Sequence, residues 1–123
     1  MAKDMDRVRG ALYGVAVGDA LGAPLEFMSA EEIKAQHGCV REMIGGGWLH
    51  LKPGEVTDDT QMTLCVARGI VERPEDPIDA IARNFMEWFD AGPADVGNLC
   101  RAVLSAAKRY GWNRVREMSL SAF

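Results

Sequence analysis

The sequence predicts an all-α fold, one helical domain over residues 1–123, and three observations predict it. Apolar residues recur at three- and four-residue intervals in several separate segments. Those segments are bounded by capping residues and by Gly or Pro breakers. No stretch alternates apolar and polar residues for long enough to form a sheet strand.

The first helix is expected from Asp4 to about Leu21. Val8, Leu12 and Val15 mark one side of it, and Tyr13, Val17 and Leu21 cover the other. A helix that is apolar on most faces is expected at the centre of a fold. Gly14, Gly18 and Gly22 form one ridge, which suggests close backbone packing against a neighbour. Pro24 ends the helix. Ser29 and Glu32 have capping-box spacing and open a short helix that closes near Gly38. Gly45-Gly46-Gly47 and Pro53-Gly54 punctuate a long loop. A third helix starts at Thr57 or Asp58 and runs to about Glu72, and its apolar interior from Met62 to Val71 predicts burial. After a linker over Arg73–Pro77, Ile78, Ile81, Phe85, Trp88 and Phe89 form an amphipathic stripe opposed by Asp79, Arg83, Glu87 and Asp90. Gly92-Pro93 breaks it. Val96, Leu99, Cys100, Val103, Ala107 and Tyr110 mark the last strong helix. Beyond Gly111 the pattern fades into a short tail.

Composition narrows the functional class. At 48% hydrophobic and 26% charged the chain is of globular type, not disordered or collagen-like. A net charge of -4 gives no field that would favour nucleic acid or an anionic membrane, so neither is an expected partner. Residues 1–9 carry Asp4 and Asp6 and do not read as a secretory signal. The most apolar stretch, Gly10 to Leu25, is shorter than the ~20 residues that span a bilayer and contains Asp19. Three cysteines, Cys39, Cys65 and Cys100, form no CxxC. They are expected as buried thiols in a reducing compartment, which makes the cytoplasm the expected location.

Two acidic features stand out. Asp19 continues the stripe of Val8, Leu12 and Val15, and an unpaired buried carboxylate is costly, so it must have a partner. That partner is a backbone amide cluster, a cation or cleft water; Asp19 could equally be a core residue that caps a neighbouring loop. The second feature is Thr57-Asp58-Asp59-Thr60-Gln61. One reading is a helix start, with Thr57 or Asp58 as N-cap and Asp58 and Gln61 at capping-box spacing. The other is a set of hard oxygen donors for Mg²⁺, Mn²⁺ or Ca²⁺. Both can hold, because a cap uses one oxygen and each carboxylate has two. His37 and His50 read as surface or structural residues, and the Met residues as core filler.

Several blocks occur in a fixed order. Arg9-Gly10-Ala11-Leu12-Tyr13-Gly14 leads into Gly18-Asp19-Ala20-Leu21-Gly22-Ala23-Pro24-Leu25-Glu26-Phe27. Gly45-Gly46-Gly47 precedes Pro53-Gly54-Glu55 and Thr57-Asp58-Asp59-Thr60-Gln61-Met62. Gly92-Pro93-Ala94-Asp95-Val96-Gly97-Asn98 closes the series. Together they resemble the ADP-ribosylglycohydrolase family, the group related to dinitrogenase reductase-activating glycohydrolase. The resemblance implies an all-α orthogonal helical bundle with a two-metal centre, Mg²⁺ or Mn²⁺, in a cleft. It implies hydrolysis of the N-glycosidic bond between ADP-ribose and a protein side chain, commonly arginine. Thr57, Asp58, Asp59 and Glu26 would then be metal ligands. Glu26 and Asp95 would be the catalytic pair. Asp95, Gly97, Asn98, Gly45, Gly46 and Gly47 would line the substrate. Asp19 would steady the helix end that delivers Glu26.

The same resemblance marks departures. The family's chains are more than twice this long and carry a later Asp-x-Asp-Thr/Ser motif. Here no Asp follows Asp95, and Glu117 is the sole later carboxylate. A middle Asn-Gly-Ala-type motif is missing, and Val56 stands where the family often has an aromatic residue. The expectation is a chain truncated after the first part of the fold, holding at most one cation weakly. Its expected partner is an ADP-ribosylated protein or ADP-ribose. Apolar helix faces without their covering elements would favour a homo-oligomer. Two other readings stay open: a non-catalytic ADP-ribose or metal-binding regulatory module, and a structural helical oligomer.

Overall fold

The computed structural model describes residues 1–120 and is all-α. Six helices follow one another among those residues: α1 (Ala2–Gly22), α2 (Ala30–His37), α3 (Asp58–Glu72), α4 (Ile78–Asp90), α5 (Asn98–Tyr110) and α6 (Trp112–Leu120). A 3-10 turn, Ala23–Leu25, follows α1 and carries Pro24. The extended pairing described is a single bridge between Gly46 and Leu51. The chain divides into two compact units, Met1–Thr63 and the part from Leu64 onward.

In the first unit, α2 starts as its sequence predicts. The Ser29 hydroxyl accepts from the Glu32 amide at 3.2 Å, and the Glu32 carboxylate accepts from the Ser29 amide at 2.7 Å. This reciprocal capping box satisfies two donors that the first helical turn leaves over. Its hydrogen bond from the Ser29 amide holds the Glu32 carboxyl below its ordinary pKa.

The expectation that α1 is central is overturned. Tyr13 is 71% exposed, Val8 52% and Val17 50%, while Ala20 is buried. The glycine ridge makes no close contact either, since a Cβ added at Gly14, Gly18 or Gly22 would meet nothing within 4 Å. An apolar stripe states what a surface would gain by being covered, not that a described element covers it. The interior of α3 is likewise buried on one side alone. Cys65 and Gly69 face inward, whereas Leu64, Ile70 and Val71 are exposed.

The second unit packs through small residues. Ala80, Ala82, Leu104 and Ala107 are buried, and Val96 is buried in the loop before α5. Gly69 of α3 lies so close to α4 that an added Cβ would stand 2.7 Å from the Ile81 amide nitrogen. Beside it, the Asn84 side chain donates to the Cys65 carbonyl at 3.2 Å, so a buried amide is satisfied across the same pair of helices. Ion pairs Arg83–Glu72 and Lys108–Asp90 tie α3 to α4 and α4 to α5. The segment read as a fading tail is helical as α6. Its Trp112 indole and Arg116 guanidinium both donate to Asp79 of α4 at 3.1 Å, so α6 is held by partners the local pattern does not contain. The last three residues of that tail lie outside the described residues. Among the cysteines, Cys65 is buried, Cys100 is partly covered and Cys39 is exposed, which corrects the expectation of three buried thiols.

Candidate functional site

The N-terminus of α3 is held by a side chain from α1. Asp19 Oδ2 accepts from the Thr57 amide at 2.8 Å and the Thr60 amide at 3.2 Å. It also accepts from the Thr60 hydroxyl at 2.6 Å, while Oδ1 accepts from the Thr57 hydroxyl at 2.8 Å. The reading of Asp19 as a cap is therefore correct, and the amides it satisfies are the same two positions that a capping box serves. Desolvation pushes this carboxyl up, but the hydrogen bonds from Thr60 and Thr57 outweigh it and hold the pKa below its ordinary value. Asp19 thus steadies the start of α3, not the end of the helix before Glu26.

Both buried threonine hydroxyls spend their protons on Asp19. A hydroxyl has one proton and two lone pairs, so the Thr57 oxygen is left as an acceptor. Its second contact is a long one, 3.4 Å from the Asp59 amide. Asp58 and Asp59 follow in the first turn of α3, where the helix dipole favours negative charge. Burial raises the Asp59 pKa, and the charges of Asp58, Asp19 and Glu26 add to it. Four carboxylates therefore share one electrostatic neighbourhood.

Glu26 enters that neighbourhood from the residue after the 3-10 turn. The Trp48 indole donates to Glu26 Oε2 at 2.8 Å. Trp48 also meets the Phe27 ring edge-on, with centroids 5.6 Å apart. The glycines that precede it are conformationally required. Gly45, Gly46 and Gly47 all have left-handed φ, at 65°, 86° and 69°. A Cβ at Gly47 would lie 2.8 Å from Pro24 Cα, and one at Gly45 would lie 2.6 Å from the Leu51 carbonyl oxygen. Gly47 thus presses the loop onto the turn that delivers Glu26, while Gly45 closes the loop on itself.

The residues named from sequence fall into two groups. Glu26, Gly45, Gly46, Gly47, Thr57, Asp58 and Asp59 belong to the first unit, while Asp95, Gly97 and Asn98 belong to the second. There Gly97 is the N-cap of α5, Asn98 opens the helix, and Asp95 is partly covered in the preceding loop. Thr60 and Trp48 are additions that sequence reading missed. The i, i+3 spacing of Thr57 and Thr60 was a usable signal, whereas Trp48 had none beyond its place after the glycines. An apolar groove of about 280 Å³ on α3, lined by Leu64, Ala67, Arg68, Val71 and Glu72, contains none of the named residues.

In kind, the donors suit a hard divalent cation: a hydroxyl oxygen with a lone pair left over beside carboxylates whose mutual repulsion a cation would relieve. In number they supply part of a shell. Among the described residues, no three His, Cys, Asp or Glu side chains gather closely enough to hold a metal ion by themselves.

Residues 1–122 match the family model for ADP-ribosylglycohydrolase. The ADP-ribosyl-[dinitrogen reductase] glycohydrolase of Rhodospirillum rubrum is 50% identical over 96 residues, covering 78% of this chain and 33% of the relative. The ADP-ribosylarginine hydrolase Tri1 of Serratia proteamaculans (strain 568) is 33% identical over 117 residues, covering 89% of this chain and 31% of the relative. A solved structure titled ADP-ribosylglycohydrolase-related protein complex superposes with a TM-score of 0.71 at 36% identity, over 90% of this chain and 36% of that one. The chain spans about a third of the length of these relatives. With the order of its motifs and its all-α architecture, the match over residues 1–122 places the chain in the ADP-ribosylglycohydrolase family.

Proposed function

We propose that the N-terminal end of α3 is the metal-binding part of a site that hydrolyses the N-glycosidic bond between ADP-ribose and an arginine side chain. The observation that carries this reading is the arrangement around Asp19. By taking the hydroxyl protons of Thr57 and Thr60, it leaves the Thr57 oxygen an acceptor, with a lone pair beyond its long contact to the Asp59 amide, next to Asp58 and Asp59. Thr57, Asp58, Asp59 and Glu26 are the residues that would hold Mg²⁺ or Mn²⁺. Such a cation would supply positive charge to orient ribose hydroxyls and polarise water.

The remaining roles follow from the bond that breaks. Departure of the guanidine builds positive charge at the anomeric carbon, which nearby carboxylates stabilise. Water must lose a proton as it attacks, and the leaving nitrogen must gain one. Glu26 and Asp95 are the two carboxyls assigned to these transfers. Gly97, Asn98 and the Gly45–Gly47 loop are assigned to the substrate, the glycines because they let backbone approach a ligand without a side chain between. The exposed α1 stripe supports self-association as the form in which the chain works. The three thiols without disulfides support a reducing, cytoplasmic setting. No described helix is long and apolar enough to cross a membrane.

A second reading, an ADP-ribose or metal-binding module without turnover, draws on the incomplete carboxylate cluster. A hydrolysis assay on an ADP-ribosylarginine peptide with Mn²⁺ separates the two. Catalysis is expected to release ADP-ribose and to be abolished in Asp59→Ala. Calorimetric binding of ADP-ribose with no release would select the module.

A further inference from the structure

We propose that Trp48 is a positioning residue for Glu26, its indole N–H holding one carboxylate oxygen so that the other is presented to the α3 end. This rests on the reading of that end as the hydrolase site. Glu26 is an exposed, flexible side chain, and left to itself it would sample many rotamers. Three separate contacts oppose that freedom, and all join residues 24–27 to residues 45–48. The indole donates to Glu26 Oε2 at 2.8 Å. The Phe27 and Trp48 rings meet edge-to-face at 61°. Gly47 sits against the Pro24 backbone so tightly that no side chain fits there.

The backbone is bent to make these contacts. Phe27 has φ 65°, a left-handed conformation that a bulky residue adopts at a cost. The surroundings must therefore hold it in place, and the ring contact with Trp48 is the visible restraint. The chemistry of the donor matters as much as its position. An indole has one N–H, no acceptor and no charge. A Lys or Arg in its place would hold Glu26 but also neutralise it and repel a cation. Trp48 orients the carboxylate and leaves its negative charge intact, which suits a group meant to face a metal ion or a developing positive charge.

The test uses the whole chain labelled with ¹⁵N, in which Trp48, Trp88 and Trp112 give separate indole signals. In Glu26→Ala, the Trp48 indole is expected to move to the position of a solvated indole while Trp88 and Trp112 stay. In Trp48→Phe, which keeps a ring against Phe27, binding of MnCl₂ is expected to weaken roughly tenfold, the scale of losing a partner that orients a ligand. The double variant should bind no more weakly than Glu26→Ala alone, because Trp48 acts through Glu26. A Trp48 indole unmoved by Glu26→Ala overturns the proposal. So does a Trp48→Phe chain that binds Mn²⁺ as the unaltered chain does, or a double variant whose losses add. If the indole moves but the unaltered chain takes up no Mn²⁺, the clamp on Glu26 stands and the metal-site reading beneath it fails.

Discussion

At the start of α3, in the first unit, the contacts are polar and converge on the two oxygens of one carboxylate, whereas the buried centre of the second unit is made mostly of small apolar residues. Asp19 receives four hydrogen bonds from Thr57 and Thr60. The second unit instead seats Gly69 against Ile81 and buries Ala80, Ala82, Leu104 and Ala107. A polar knot adds less stability per contact than the same volume of close-packed apolar atoms, since each bond replaces one to water. What it adds is direction: it dictates where each hydroxyl proton points. Directional control is useful where lone pairs must face a ligand, and close packing is useful where a helix pair must simply stay together. The comparison shows hydrogen bonds fixing direction at the start of α3 and close packing fixing the separation of α3 and α4.

Substitutions at three positions test that contrast, in falling order of effect. Asp19→Ala strands the donors of two buried threonines and should destabilise the chain by about 3 kcal/mol in urea unfolding. Asp19→Asn, which keeps one acceptor, should lose less. Equal losses for the two would mean the knot is not a hydrogen-bond device. Gly69→Ala should cost about 2 kcal/mol, because its Cβ would overlap Ile81 backbone that cannot yield cheaply. A neutral result there would show that the helix pair has slack and that the second unit is not held by this contact. Gly18→Ala meets open space and sits mid-helix, so it should stabilise α1 by up to about 1 kcal/mol. A loss at Gly18 would sharpen the picture differently, revealing something seated on the α1 ridge in solution.

Sequence reading succeeded where the determinants are local. The capping box at Ser29 and Glu32, the extent of α4 and the start of α3 at Asp58 are each encoded within a turn or two of chain, whereas the residues of α4 that are buried are Ala80, Ala82 and Asn84 and not its predicted apolar stripe. It faltered where the partner is distant. That Asp19 needed partners followed from the cost of a lone carboxylate, but their identity as Thr57 and Thr60 depends on a separation of 38 to 41 residues that no periodicity reports. The same holds for α6, whose anchors lie on Asp79, and for Trp48, whose role appears once Glu26 is beside it. The exposure of α1 is a further case. Apolar spacing marked two sides of it but could not say whether the described chain covers them, and residues of both sides are exposed. Of the candidate site, the residue types came from motif order, while the distribution of protons among them came from the fold.

On the reading proposed above, the Thr57 oxygen and the Asp58 and Asp59 carboxylates receive a divalent cation. Paramagnetic broadening by substoichiometric Mn²⁺, followed residue by residue in ¹H–¹⁵N spectra of the whole chain, reads the cation's position. The amides of Thr57 to Thr60 and of Asp19 and Glu26 should fade first, and Asp59→Ala should abolish that selectivity. Broadening spread evenly over the acidic surface, or centred on α4 and α5 with the α3 start untouched, would contradict it.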